Sequence, residues 1–130
     1  MASQRVSARA NHRMHRIADR RRYDAIFHKY VRDCCASHTV ARTSELAQFL
    51  GKSRPSFSRI IRDLFGKPPS QILRELCLDE ARRLLRVTDL GLDEIAAASA
   101  LGDRSTLYRA FIAAFGVSAA EYRETLKGKP

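Results

Sequence analysis

Arg59 and Arg109 stand fifty residues apart inside two copies of one pattern, SFSRIIRDLFG at 56–66 and TLYRAFIAAFG at 106–116. With no gap in either copy, Ser56 answers to Thr106, Phe57 to Leu107, Ile61 to Phe111, Phe65 to Phe115 and Gly66 to Gly116. A guanidinium is a planar fork of donors that meets two acceptors at once, such as O6 and N7 of guanine in a DNA major groove. A single arginine on a helix surface means little, because most arginines sit there. Two at equivalent places in a repeat make Arg59 and Arg109 the leading candidates for reading bases.

The surrounding residues supply the helices that would hold them. Apolar residues at spacings of three and four from Arg22 to His38 (Tyr23, Ile26, Phe27, Tyr30, Val31, Cys34, Cys35) predict a first helix. A second runs from about Ser44 to Leu50, capped by Thr43 or Ser44, with Glu45 at the positive end of its dipole and Gly51 after it. Ser53 caps a third that reaches Phe65, with Pro55 in its first turn and Gly66 ending it. Pro69 opens a longer helix to Val87, roughly 27 Å at 1.5 Å per residue. Shorter helices follow at about 93–99, 104–115 and 118–126, and nothing alternates with the period of a strand. The chain therefore reads as all-α, about seven helices.

Short helix, glycine turn and second helix with one polar face is the order of a helix-turn-helix unit, here written twice. Leu46, Leu50, Phe57 and Ile60 fall where the first pair must bury apolar groups, and Ala47 falls at their close approach. The second copy carries one extra residue in its turn, so its front half matches at an offset of 49. Such a unit presents its second helix to a major groove. The outward positions are Arg54, Pro55, Ser58, Arg59 and Arg62 in the first copy, and Arg104, Ser105, Tyr108 and Arg109, with Ile112 at the margin, in the second. Phe57, Ile61, Phe65, Leu107, Phe111 and Phe115 are expected in the core, and Arg42, Lys52 and Lys67 are expected to add phosphate contacts.

Charge supports a polyanionic partner, nucleic acid before an anionic membrane. The formal charge is +10 and the pI near 10.3. It is unevenly spread: residues 1–22 carry +6, residues 23–41 balance, residues 42–87 carry +5 and residues 88–130 carry −1. No apolar run approaches the roughly 20 residues of a membrane span. Three cysteines, two of them adjacent at Cys34–Cys35, fit a reduced intracellular protein better than a disulfide framework.

The stretches LAQFLGKSRPSFSRIIRDLFGKPPSQIL, LDEARRLLRVTDLGLDEIAAASALG and STLYRAFIAAFGVSAAEYR together resemble the DNA-binding domain of the AraC/XylS family of bacterial transcription regulators. The resemblance spans about residues 43–126. It implies two helix-turn-helix subdomains on one linker helix, within residues 22–67 and 89–127 on either side of a linker at 68–88. It further implies that a monomer sets both recognition helices in successive major grooves of double-stranded DNA, which lie roughly 34 Å apart. Its base-facing positions fall on Arg54, Pro55, Ser58 and Arg59, and on Arg104, Ser105, Tyr108 and Arg109. RNA polymerase is a further candidate partner, and the cytoplasm the expected location. Departures gather in the second unit: Ala100-Leu101 stands for the usual Gly-Phe, Leu107 for an aromatic residue and Ala119 for a proline, while Cys77 replaces an arginine of the linker. With the local charge of −1, they imply a weaker grip by the second unit.

The 42 residues before this region offer one amphipathic helix and an arginine-rich stretch, too little for a pocketed sensor, so no ligand-sensing domain is expected in this chain. Residues 1–21 are expected to be a disordered basic arm; a transit peptide shares that composition. The arm either lies along phosphates or enters a minor groove, or is a solvated tail that only adds attraction. Cys34 and Cys35 each lie within one helical turn of His38, which allows a metal or thiol-sensing role; buried thiols packing as small apolar groups account for them more simply. No phosphate loop, paired-carboxylate signature or nucleophile elbow is present, so neither enzyme chemistry nor a cofactor is expected. The alternative from another class is a helical adaptor that binds a regulator or RNA polymerase without an operator.

Overall fold

The computed structural model describes the backbone of residues 2–128 and the side chains of residues 12–128. It contains α1 (Ala2–Ser37), α2 (Thr43–Phe49), α3 (Arg54–Phe65), α4 (Pro69–Val87), α5 (Leu92–Ala98), α6 (Arg104–Phe115) and α7 (Ala119–Lys127), with no strand among the described residues. The central element is α4, which touches all six other helices, because apolar residues surround most of its circumference. Leu73, Cys77, Leu78, Ala81 and Leu85 are all buried and join the two halves in one continuous core.

Each half repeats the same packing. In the first, Leu46 and Ala47 of α2 meet Phe57 and Ile61 of α3, and Tyr23 and Phe27 of α1 close over them, with ring centroids 6.3 and 5.9 Å from Phe57. In the second, Ile95 and Ala96 of α5 meet Leu107 and Phe111 of α6, while Tyr122 of α7 lies 5.5 Å from the Phe111 ring. Arg123 of α7 donates to the Leu90 carbonyl at 2.6 Å and fastens that helix to the loop after α4. The departing residues of the second unit and linker, Ala100, Leu101, Leu107, Ala119 and Cys77, are all buried apolar groups that fill this core.

Two expectations change. Helix α1 begins far ahead of Arg22: apolar periodicity reports which residues are buried, whereas helicity needs only favourable residues and no breaker. Residues 2–37 contain neither glycine nor proline, and arginine and alanine both favour helix. The segment expected as a disordered arm is therefore helical through residues 12–21, with Arg22 and Asp19 paired at 3.1 Å along it. The side chains of Arg5 and Arg9 lie outside the described residues. Neither Thr43 nor Ser44 caps α2, whose N-cap is Arg42 with no side-chain bond. Tyr30 does that work from α1: its hydroxyl accepts from the Arg42 amide at 3.0 Å and donates to Glu45 Oε1 at 2.8 Å. Burial, opposed by the Arg42 amide and reinforced by the Glu45 bond, raises the Tyr30 phenol well above its ordinary range.

The α1–α2 loop also reaches the second unit. The Ala41 amide donates to the Ala100 carbonyl at 3.1 Å, and Val40 lies so close to Gly102 that a β-carbon there would meet Val40 Cγ2 at 2.8 Å. With α1 packed on α3, α4 and α5, this loop gives the two halves a second connection besides α4.

Candidate nucleic-acid interface

The two recognition helices are built alike. Ser53 Oγ accepts from the Ser56 amide at 3.2 Å at the start of α3, and Asp103 Oδ1 accepts from the Thr106 amide at 2.7 Å at the start of α6. These caps satisfy amides that a helix start leaves unpaired. Both helices are 12 residues long and end on a left-handed glycine, Gly66 at φ 74° and Gly116 at φ 77°. The preceding turns match in geometry but not in residue type: Gly51 has φ 67°, and its counterpart Ala100 takes φ 65°, a conformation that strains a residue with a β-carbon.

On α3, Arg54, Pro55, Arg59 and Arg62 are exposed and Ser58 is half-buried. On α6, Arg104, Ser105, Tyr108 and Arg109 are exposed, Tyr108 by 56%, and Ile112 is half-buried. Among the described residues, none of these five arginines enters an ion pair, so their donors face solvent. The faces are not masked against the protein's interior. Asp103 sits one residue before Arg104, and the Thr106 amide, with a smaller contribution from Arg109, holds its carboxyl below the usual carboxylate range. A fixed negative charge thus stands at the start of α6, where α3 has the neutral Ser53.

The expected phosphate contacts are in different states. Arg42 is exposed and Lys52 half-buried. Lys67 Nζ lies 2.6 Å from Glu75 Oε2, while Gln71 Nε2 donates to the other carboxylate oxygen, Oε1, at 3.1 Å. The Lys67 bond keeps the Glu75 carboxyl below its ordinary range, so part of the Lys67 charge is already cancelled within the protein.

The F-G ends differ from expectation. Phe65 is partly buried and Phe115 is 38% exposed, so neither is a full core residue. Each lies at its helix end, where the chain turns away before the next helix can cover it. An arginine from another helix covers the ring instead: Arg20 stands 5.2 Å from the Phe65 centroid and Arg82 stands 4.8 Å from that of Phe115. Such cation–π contacts contribute about 0.5–1 kcal/mol at exposed sites. Arg16 and Arg20 were not foreseen as neighbours of α3. Their spacing with Arg13 at i, i+3 and i+7 was the available signal.

All three cysteines are free thiols, with Cys34 and Cys77 buried and Cys35 half-buried. Burial pushes the Cys35 thiol up to about 11 and the Cys77 thiol up to about 12. Protonated thiols of this kind are poor nucleophiles at neutral pH. Among the described residues, Cys34, Cys35 and His38 are not part of any group of three side chains able to hold a metal ion.

Two helix-turn-helix units on one linker helix, each with an open basic face on its second helix, define a tandem DNA-binding type of domain. A family profile described as "Helix-turn-helix domain" matches residues 46–125. The chain belongs to the AraC-type helix-turn-helix family. It is 34% identical over 83 residues to the HTH-type transcriptional regulator Rv1931c of Mycobacterium tuberculosis, covering 64% of this chain and 32% of that protein. It is 32% identical over 82 residues to the RCS-specific HTH-type transcriptional activator RclR of Escherichia coli, covering 63% and 29%. The aligned part thus spans about a third of each relative's length. Among solved structures, the DNA-binding domain of AdpA, crystallised with a target DNA, superposes with a TM-score of 0.67 at 28% identity, covering 78% of this chain and 92% of that one. The C-terminal domain of AraT, a response regulator from Geobacillus stearothermophilus, superposes with a TM-score of 0.70 at 27% identity, covering 82% and 84%. No described helix is long and apolar enough to cross a membrane.

Proposed function

We propose that this chain is a sequence-specific transcription regulator whose α3 and α6 enter successive major grooves on one face of double-stranded DNA. The observation that carries this reading is the pair of capped, equal-length helices, each presenting on an open face arginines that form no ion pair among the described residues. Arg59 and Arg109 read bases bidentately; Arg54, Pro55, Ser58, Arg104, Ser105 and Tyr108 line the same grooves, and Arg62, Arg42, Lys52 and Lys67 approach phosphates. The likeness to AdpA, whose domain was crystallised on its target DNA, supports the same use of the fold. The protein acts in the bacterial cytoplasm as a monomer on its site, without catalysis, and influences transcription through its placement relative to RNA polymerase.

Selection from random genomic fragments followed by sequencing tests this directly: a motif with two half-sites one helical turn apart is expected, and a flat profile refutes sequence-specific binding. On the selected site, Arg59→Ala and Arg109→Ala should each weaken binding by about 1–3 kcal/mol. The loss should be larger for Arg59, because the first unit sits in the segment of charge +5 and the second in the segment of −1. Gel-shift titrations giving the reverse order would refute that asymmetry.

A further inference from the structure

Ahead of Tyr23, the described side chains of α1 are not in the core, yet this stretch is held against α3 at two points. Arg16 Nη2 donates to the Asp63 carbonyl at 3.0 Å, and its Nη1 lies 3.6 Å from Asp63 Oδ2. One turn nearer the core, Arg20 covers the Phe65 ring. Asp63 is the only acidic residue of α3. It follows Arg59 by four residues, so the two share one stripe of helix surface. Arg16 therefore stands against the single negative charge on the stripe that carries Arg59. Arg13, Arg16 and Arg20 occupy one face of α1, a row roughly 10 Å long at 1.5 Å per residue. That length matches about three base-pair steps measured along the axis of a DNA duplex.

We propose that residues 12–22 of α1 are a third DNA-contacting element, a basic helical strut beside α3 that binds the phosphates flanking the groove α3 enters. This rests on the DNA-binding reading above. An anionic lipid surface would attract the same charge. The described apolar side chains here are few, Met14 at 66% exposure and Ile17 at 54% being the large ones, which is too little for the apolar face that membrane-surface helices need. The anchor on the Arg59 stripe points to DNA instead.

The test measures binding of the full chain to a labelled duplex carrying the selected site, between about 50 and 200 mM salt. Each phosphate contact contributes about 0.9 to the slope of log affinity against log salt. The double variant Arg13→Gln with Arg16→Gln should have a slope shallower by about 0.9, from Arg13, because Asp63 already opposes the Arg16 charge; the native chain then loses about 3.5-fold more affinity than the variant over that range. The charge-keeping pair Arg13→Lys with Arg16→Lys should retain the native slope, which a purely structural role of the arginines would not produce. Thermal unfolding of each variant shows that the fold persists. An unchanged slope in the glutamine variant, while Arg59→Ala still weakens binding, overturns the strut and leaves the DNA reading standing; loss of binding in neither overturns that reading. Should the glutamine variant lose binding to phosphatidylserine vesicles but keep its DNA slope, the surface belongs to lipid and the proposal fails.

Discussion

Gly102→Ala probes the contact that joins the two halves of the molecule away from α4. Gly102 has φ 102°, where a β-carbon is strained by about 1–2 kcal/mol. The added carbon would stand 2.8 Å from Val40 Cγ2, the end of a short, stiff side chain whose loop is also held by the Ala41–Ala100 bond. Overpacking of this kind costs about 1–3 kcal/mol. Alanine also restricts the unfolded chain, which returns about 0.4–1 kcal/mol. The net loss is about 2–4 kcal/mol, tolerable within a stability of about 5–15 kcal/mol. Gly51→Ala supplies the control, since Gly51 has a comparable left-handed φ but nothing within 4 Å of an added β-carbon. Its loss should be only about 0.5–1 kcal/mol, strain less the entropy return. Urea unfolding of both variants, with Val40→Ala alone and combined with Gly102→Ala, completes the comparison. Removing Cγ2 should recover about 1–3 kcal/mol in the combined variant. If Gly102→Ala costs no more than Gly51→Ala, or Val40→Ala recovers nothing, the tight loop-to-turn contact does not exist in solution.

Glu75→Gln removes the carboxylate that occupies Lys67, so the freed ammonium should steepen the salt slope of DNA binding by about 0.9; fluorescence anisotropy over a salt series would expose an unchanged slope and refute the role assigned to Lys67. The Asp103 carboxyl is held below its unfolded value of about 3.9. Its contribution is therefore complete above that pH and lost as the pH falls through the lower folded value. Asp103→Asn keeps a side chain able to cap α6 but removes this titration, so its melting temperature should fall less between neutral and acidic pH than that of the native chain. Identical pH profiles by calorimetry would show that the cap has no linked charge.

What the sequence determined by itself follows from local physics. Glycine and proline at 51, 55, 66, 69 and 116 set the ends of α2, α3, α4 and α6 because backbone limits act within a few residues, and the bounds of α3, α4 and α6 appear as the chain order implies. The repeat fixed which residues of α3 and α6 face outward, since equivalent positions share one helical phase. Three further features became visible only in the structure, the last two because they arise where distant segments meet. Periodicity located the buried stripe of α1 but not its start, because an exposed helix leaves no apolar pattern. Phe65 and Phe115 looked like core from spacing alone, yet their exposure depended on which helix covers each end, and arginines 20 and 82 do so from elsewhere in the chain. Likewise Lys67 read as a free cation until α4 brought Glu75 to it, and nothing in the sequence placed Arg16 beside Asp63. Charge adds up along the chain, but its cancellation depends on distances that only the packed structure fixes.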